Sequence, residues 1–255
     1  MISIKSIWKS FLDHQVLRGV DLDIMDGETI TIIGGSGCGK SVLLKHIVGL
    51  LKPEKGVVLV DQVDITRLSV EKLMDVQKKF GMLFQGSALF DSLNVGENVA
   101  FGLKRLTRLT ETEIKKKVEE KLALVGLEGV ENLRPAELSG GMKKRVALAR
   151  AIAMDPKYIL YDEPTTGLDP IMADAINDLI LHLQKELKIT SIVVTHDMKS
   201  SYKISNRLAM LYEGKIRQDG TPTEIKESKD PVVQQFITGS SKGPIKMKIK
   251  ELENA

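Results

Sequence analysis

The sequence predicts an α/β fold with a mostly parallel central sheet, an antiparallel β part and an inserted helical lobe. Short apolar runs typical of strands alternate with longer stretches in which apolar residues recur every three or four positions, as in amphipathic helices. The chain has 255 residues, of which 42% are hydrophobic and 28% charged. This is enough material for a large core, so one large domain carrying an inserted lobe is expected.

Glycine, aspartate and proline residues that favour turns bound the predicted strands. These strands lie at residues 2–7, 29–33, 57–60, 80–83, 158–161 and 191–195. The predicted helices lie at residues 39–48, 111–125, 140–153 and 171–187. Two more strands, 207–212 and 215–219, flank Glu213-Gly214 and predict a hairpin. Helical signals dominate between residues 67 and 137, so we expect the helical lobe at about residues 86–155.

Charge and composition exclude several classes of protein. The 37 basic and 34 acidic residues nearly balance, at a net charge of +3, which argues against nucleic acid as a partner. Cys38 is the single cysteine, so an internal disulfide framework is excluded and a reducing cytosol is expected. We find no signal peptide and no run of about 20 apolar residues that would span a bilayer. If a membrane matters to the function, partner chains cross it.

The strongest chemical signal is a glycine-rich loop between a predicted strand and a predicted helix. It consists of Gly34, Gly35, Ser36, Gly37, Cys38, Gly39, Lys40 and Ser41. Glycines let the backbone curl around a phosphate, and the positive end of the next helix adds to the same site. Lys40 is expected to reach the β- and γ-phosphates of a nucleotide, and the Ser41 hydroxyl to ligate Mg²⁺. The alternative is a strand-to-helix turn without a ligand.

A second signal is the apolar run 158–161 that ends in Asp162 and Glu163. A buried strand delivers such carboxylates to a ligand at its C-terminal edge. We expect Asp162 to hold Mg²⁺ through water and Glu163 to turn towards the water that attacks the γ-phosphate. The alternative is a solvated acidic pair. The presence of the glycine-rich loop 34–41, called the phosphate loop from here on, makes this alternative the weaker one. These two signals indicate a P-loop NTPase.

The segment 138–142, followed by the helical stretch 143–150, decides the kind of NTPase. Ser139 can cap the helix, and the amides of Gly140 and Gly141 form a second anion-binding helix terminus. An ordinary capped helix is the alternative. The segment resembles the signature motif of ABC transporter ATPases. This resemblance implies that these residues bind ATP held by a second copy of the chain, in a head-to-tail dimer.

Four more residues match the pattern of that family, and their roles are implied by the resemblance. Phe11 lies where the family has an aromatic side chain that stacks on adenine, although an isolated Phe is more often core. Gln85 matches a glutamine that contacts Mg²⁺ or the attacking water. Asp169 matches a residue that bridges the two protomers, with a helix cap before Pro170 as the alternative. His196 matches a histidine that contacts the γ-phosphate.

The sequence departs from the family pattern at three places. Met142 stands where many signature motifs have Gln, so a side-chain hydrogen bond to nucleotide is lost there. Val42, which completes the nucleotide-binding loop, replaces a more common Thr, and Thr166-Gly167 replaces a more usual Ser-Ala. No required charge or metal ligand is removed.

A narrower resemblance is to the ATPases of Mla-type lipid transporters, which work with Mce-domain proteins. Residues 39–45, 83–93, 97–99 and 140–146 carry it. It implies an ATPase coupled to phospholipid or other lipid transport, bound on the inner face of the cell membrane to a permease. Apolar residues around Gln85 would receive a coupling helix of that permease, with core packing as the alternative for some of them. These are Leu83, Phe84, Ala88, Leu89, Phe90 and Leu93.

Two other functions share the same nucleotide chemistry. One is the motor of an amino-acid or sugar importer, and the other, less favoured, is a soluble ABC ATPase that transports nothing. We expect the ATPase domain to cover residues 1–238 and a C-terminal extension to cover 239–255. Residues 244–250 of that extension alternate apolar and basic side chains. The extension is therefore either disordered or paired with the second copy or another partner.

Overall fold

The computed structural model describes residues 1–246, and most of the alternating stretch 244–250 lies outside this part. Its strands are β1 (Ile2–Phe11), β2 (His14–Ile24), β3 (Thr29–Ile33), β4 (Lys55–Val60), β5 (Val63–Asp64), β6 (Phe80–Leu83), β7 (Tyr158–Asp162), β8 (Thr190–Thr195), β9 (Arg207–Tyr212) and β10 (Lys215–Gly220). Its helices are α1 (Lys40–Ile47), α2 (Val70–Gln77), α3 (Val95–Leu106), α4 (Glu111–Leu124), α5 (Gly140–Ile152), α6 (Pro170–Leu187), α7 (Met198–Ile204), α8 (Pro222–Lys226) and α9 (Pro231–Thr238).

The strands form two sheets. The smaller sheet is antiparallel, with the order β2-β1-β4-β5, and the larger has the order β10-β9-β3-β8-β7-β6. The five strands from β9 to β6 run parallel, while β10 pairs antiparallel with β9 as the predicted hairpin. The predicted fold class, a mostly parallel sheet with an antiparallel part and a helical lobe, is confirmed.

Strand β2 is absent from the sequence-based prediction. Its residues 20–24 alternate the buried Val20, Leu22 and Ile24 with exposed aspartates, which is a strand pattern that the prediction missed. The strand pairs with β1 across a short turn at Leu12, whose backbone φ is +52°. Local alternation and pairing with a neighbour therefore both favour this element.

The apolar residues form separate clusters on the two sides of the larger sheet. One cluster joins α3, α4 and α5 to α6 and to the sheet, with Val99, Leu122 and Leu148 fully buried. The other fills the space between the two sheets and α1. The helical lobe therefore shares its core with the sheet, and its α5 helix packs against β6.

Parallel order brings the carboxyl ends of four strands to one edge of the larger sheet. Strand β8 lies between β3 and β7, with Ile33 opposite Thr195 and Asp162 opposite Val194. The loops after β3, β6, β7 and β8 therefore meet at this edge, which is where ligands bind in open α/β sheets.

The described part of the C-terminal extension docks on its own chain. The Ile245 N–H donates to Gln235 Oε1 at 2.6 Å, and Gln235 Nε2 donates to the Ile245 carbonyl at 3.1 Å. Within residues 1–246, none of the helices combines the length and the apolar character needed to cross a membrane.

Candidate nucleotide site

The glycine-rich loop joins β3 to α1, as predicted. Gly37 and Gly39 have φ of +75° and +108°, a region that L side chains rarely adopt. Lys40 is buried, and its ammonium donates to the carbonyl oxygens of Gly34 at 2.7 Å and Gly35 at 3.0 Å. The lysine side chain therefore folds back over the loop from the first turn of the helix.

The loop fits a phosphate group. Gly35 and Gly37 are exposed, and a Cβ atom at either would meet no heavy atom within 4 Å beyond its chain neighbours. An anion can thus approach this backbone closely, beside the Lys40 ammonium and the start of α1. This combination of exposed glycine backbone, a cation and a helix N-terminus is what the phosphates of a nucleoside triphosphate require.

Ser41 and Asp162 form a pair of oxygen donors beside the loop. The Ser41 hydroxyl donates to Asp162 Oδ1 at 3.1 Å, although the two residues are far apart in the sequence. Burial, and to a smaller extent the charge of Glu163, raises the pKa of Asp162, while the Ser41 hydrogen bond opposes the rise. A hydroxyl beside a carboxylate matches the oxygen ligands that Mg²⁺ prefers.

Glu163 is held in one orientation by its neighbours. Its φ of +50° turns the chain sharply at the end of β7, and its N–H donates to the Val194 carbonyl at 2.9 Å. The hydroxyls of Thr195 and Thr166 donate to Oε2 at 2.9 Å and 3.2 Å. Backbone strain and a pre-set side chain are typical of functional positions.

His196 lies beside this carboxylate. Its Nδ1 is 3.0 Å from Glu163 Oε1, and its side chain is 59% exposed. The structure thus joins two predicted catalytic residues from β7 and β8. Thr195 and Thr166 were not predicted as site residues, although Thr195 directly precedes the predicted site residue His196.

Phe11 and Gln85 are both exposed. Phe11 is 45% exposed at the end of β1, with the Lys9 ammonium 5.4 Å from its ring centroid, so it is not a core residue. The main-chain carbonyl of Gln85 accepts a hydrogen bond from the Lys144 ammonium. An exposed ring is available for stacking on a base.

The signature segment begins α5, as predicted. Ser139 Oγ accepts from the Met142 N–H at 3.2 Å, which confirms the predicted helix cap. Within residues 1–246, Ser139, Gly140 and Gly141 make no hydrogen bond to the phosphate loop. Asp169 caps α6 by accepting from the N–H groups of Ile171 and Met172. The capping alternative for Asp169 is therefore observed, and its contact with a second protomer stays a prediction.

The phosphate loop, the Ser41–Asp162 oxygen pair and the fixed Glu163 define a P-loop ATPase with its site at the edge of a parallel sheet. A family model described as "ABC transporter" matches residues 17–166, more than half of the chain. The chain belongs to the ABC transporter ATP-binding family.

Comparisons with individual proteins agree with this family. The chain is 43% identical to the "Intermembrane phospholipid transport system ATP-binding protein MlaF" of Haemophilus influenzae, over 97% of this chain and 94% of that protein. It is 42% identical to the "Probable ribonucleotide transport ATP-binding protein mkl" of Mycobacterium leprae, over 96% and 71%. A solved structure of the ATP-binding cassette MJ0796, dimeric and bound to ADP and Pi, superposes with a TM-score of 0.79 at 33% identity, covering 87% of this chain and 99% of that one.

Family membership establishes the biochemical class. The chain is an ATP-binding and ATP-hydrolysing subunit of a transporter, and its cofactors are ATP and Mg²⁺. Cassettes of this family form dimers and work with membrane permeases. The predicted resemblance to Mla-type ATPases is confirmed by the match to MlaF over nearly the full length of both chains.

Proposed function

We propose that this chain powers the transport of phospholipid, or of another lipid, between membranes of the cell envelope. The observation that carries the proposal is the near-full-length similarity to a protein named for phospholipid transport. The chain would lie on the cytoplasmic face of the membrane, bound to a permease, with an Mce-domain protein as a further partner. The name of the mycobacterial relative supplies a rival cargo, a ribonucleotide.

The site residues divide into binding and catalytic roles. Residues 34–42 hold the phosphates of ATP, with Lys40 neutralising their charge, and Phe11 stacks on the adenine. Ser41, Asp162 and Gln85 supply the oxygen ligands for Mg²⁺, which neutralises charge on the β- and γ-phosphates when it is bound. His196 approaches the γ-phosphate from beside Glu163.

Glu163 is the group that orients and deprotonates the attacking water. Its carboxylate is 12% exposed and is held by Thr195, Thr166 and His196, so it is already oriented before the reaction. General-base assistance contributes about 10²- to 10⁴-fold to a rate. We expect Glu163→Gln to lower turnover by about that factor while ATP binding is kept. Turnover at the wild-type level in this variant would remove Glu163 from the role.

Two nucleotide sites form between two copies of the chain. The supporting observation is that α5 begins with a capped Ser139 and two glycines that, in residues 1–246, make no hydrogen bond to the phosphate loop of the same chain. A helix N-terminus is a ready binding site for an anion, and the head-to-tail arrangement supplies one. Asp169, at the start of α6, would contact the second protomer nearby.

A mixed-dimer experiment tests this arrangement. Lys40→Ala disables the phosphate loop of one chain, and Ser139→Arg disables the signature segment of another. If the pockets are shared, dimers of either variant alone have two damaged sites, whereas the mixed dimer has one intact site. We expect ATP hydrolysis to recover on mixing. Recovery would be absent if each pocket were built from a single chain.

The loop after β6 provides the surface for the permease. Phe84 and Phe90 are 40% and 41% exposed, while Leu83 is fully buried and Leu89 packs against the lobe core. Part of the predicted apolar group is therefore core, and the exposed aromatic residues are available to the apolar face of a coupling helix. This surface lies at the boundary of the sheet and the helical lobe, between β6 and α3.

A reconstitution experiment tests the cargo. The chain is purified with the membrane proteins that bind it and placed in vesicles, and ATP-dependent transfer of labelled phospholipid to acceptor vesicles is measured. Glu163→Gln serves as the matched inactive control. ATP-dependent uptake of a ribonucleotide, an amino acid or a sugar, with no lipid transfer, would reject the lipid proposal and leave the ATPase assignment intact.

A further inference from the structure

The loop that follows β6 is attached to the helical lobe through its main chain. We call residues 84–90 the Gln85 loop. The Lys144 ammonium, on α5, donates to the Gln85 carbonyl. Arg150, on the same helix, donates to the Ser87 carbonyl at 2.8 Å and to the Ala88 carbonyl at 2.7 Å. Two cationic side chains of one helix thus donate hydrogen bonds to three carbonyl groups of the loop.

The backbone of the Gln85 loop needs such support. Ser87 and Ala88 have φ of +62° and +48°, a region that residues with a side chain rarely adopt. Backbone of this kind persists where surrounding contacts over-determine it. The donors from α5 are such contacts, and they make the loop conformation depend on the position of the helix.

Lys144 is an unusual residue to bury. It is 4% exposed, and burial lowers its pKa, an effect that the charges of Asp162 and Glu163 oppose. It therefore lies in the electrostatic field of both site carboxylates. Burying a cation costs desolvation energy, and an apolar side chain of similar length would fill the same space without that cost. The buried charge of Lys144 is therefore better explained by a role in positioning the Gln85 loop than by a contribution to folding stability.

We propose that Lys144 is a positioning residue for ATP hydrolysis. Through the main-chain carbonyl of Gln85 it fixes where the Gln85 side chain points relative to Asp162 and Glu163. It also lies about one and a half helical turns from Ser139, so movement of the signature segment and of Gln85 is coupled through one helix. The inference rests on the proposed role of Gln85 as a Mg²⁺ or water contact.

The test compares substitutions of Lys144 in the complete transporter complex. Lys144→Met keeps the length and removes the donor, and Lys144→Arg restores one. Lys116→Met, at an exposed position of α4, removes the same charge elsewhere. Small misplacements of reacting groups cost up to about 10²-fold. We expect Lys144→Met to lower kcat by about 10-fold or more with the KM for ATP within about 2-fold, Lys144→Arg to recover most of the rate, and Lys116→Met to leave it unchanged.

Thermal unfolding separates positioning from folding. We expect Lys144→Met to keep a wild-type-like midpoint, and Lys144→Gln serves as the second donor-altering variant should the methionine variant fail to fold. If kcat fell to the same extent in the Met, Gln and Arg variants, and the midpoint of thermal unfolding also fell in all three, Lys144 would have a structural role. That result would overturn the inference. So would a wild-type kcat in Lys144→Met.

A second background shows whether Lys144 acts through Gln85. In Gln85→Ala the main-chain carbonyl remains but the side chain that it positions is gone, so adding Lys144→Met should lower kcat no further. If Gln85→Ala is slow and the double variant with Lys144→Met is slower still, only the inference is overturned. Wild-type turnover in Gln85→Ala would overturn the proposed role of Gln85 and the inference with it.

Discussion

The Thr195 hydroxyl donates a hydrogen bond to the Glu163 carboxylate at 2.9 Å, joining the end of β8 to the end of β7. The same hydroxyl oxygen accepts from the Asp197 N–H at 3.1 Å. Thr195 is buried, so its two hydrogen bonds are shielded from water. The hydroxyl therefore sets the direction of the proposed general base and the start of the following turn.

Loss of this hydroxyl should slow hydrolysis. Thr195→Val keeps the shape and removes both hydrogen bonds, so Glu163 gains freedom to rotate away. We expect kcat to fall about 10- to 150-fold, since a hydrogen bond to a charged group contributes about 1.5–3 kcal/mol. Steady-state kinetics measures it, with Thr195→Ser as the control that keeps the donor. A valine variant as fast as the serine variant would contradict the prediction.

The close packing of Gly34 gives a second prediction. A Cβ atom there would lie 2.4 Å from the Leu211 carbonyl oxygen and 2.8 Å from Cys38 Sγ. We expect Gly34→Ala to destabilise the nucleotide-free protein by about 1–3 kcal/mol, the usual cost of overpacking. Denaturant unfolding measures this free energy. Gly35→Ala is the matched control, because a Cβ at Gly35 meets open space; equal losses in the two variants would reject the explanation.

A third prediction concerns Asn98, which hydrogen-bonds to Phe90, the last residue of the Gln85 loop. It is fully buried, its Oδ1 accepts from the Phe90 N–H at 2.8 Å, and its Nδ2 donates to the Phe90 carbonyl at 3.1 Å. Asn98→Ala would remove the side-chain partner of the part-buried Phe90 N–H, at a cost of about 1–3 kcal/mol. We expect a lower free energy of unfolding in urea, whereas Asn132→Ala, at an exposed position, should change it by less than about 0.5 kcal/mol. Similar losses in both would speak against this account.

Asp61 gives a prediction about pH. Burial would raise its pKa, but hydrogen bonds from Lys157, Lys79 and Tyr158 outweigh burial and hold the pKa well below the ordinary value of 3.8. A carboxyl group with a depressed folded-state pKa stabilises the protein above its unfolded-state pKa, and this contribution is lost as pH falls.

The test is the free energy of unfolding of Asp61→Asn as a function of pH. At pH 7 we expect the variant to be less stable by about 1–3 kcal/mol, because charge-assisted hydrogen bonds are lost. The gap to the wild type should narrow as the pH falls below about 4. A gap that stays constant between pH 7 and pH 3 would show that the Asp61 charge does not contribute.

Local patterns account for the part of the site that could be predicted. The phosphate loop is continuous in sequence, so its glycines, Lys40 and Ser41 are recognisable wherever the chain folds. Asp162 and Glu163 are recognisable because they end an apolar run. Thr195, Lys144 and Arg150 carry no such local mark, since each hydrogen-bonds to a residue distant in sequence. Thr166 lies three residues from Glu163, but its residue type alone does not reveal that contact.

By itself the sequence determined the class of protein, because the phosphate loop, the acidic pair and the signature segment are each short and contiguous. It also determined that Ser139 caps a helix, since capping depends on a few consecutive residues. The tertiary structure alone decided which distant residues meet. The order β3-β8-β7 places His196 and Thr195 on Glu163, and the packing of α5 against β6 places Lys144 on the Gln85 carbonyl. Those contacts depend on strand order and on a shared core, which no local spacing of residues encodes.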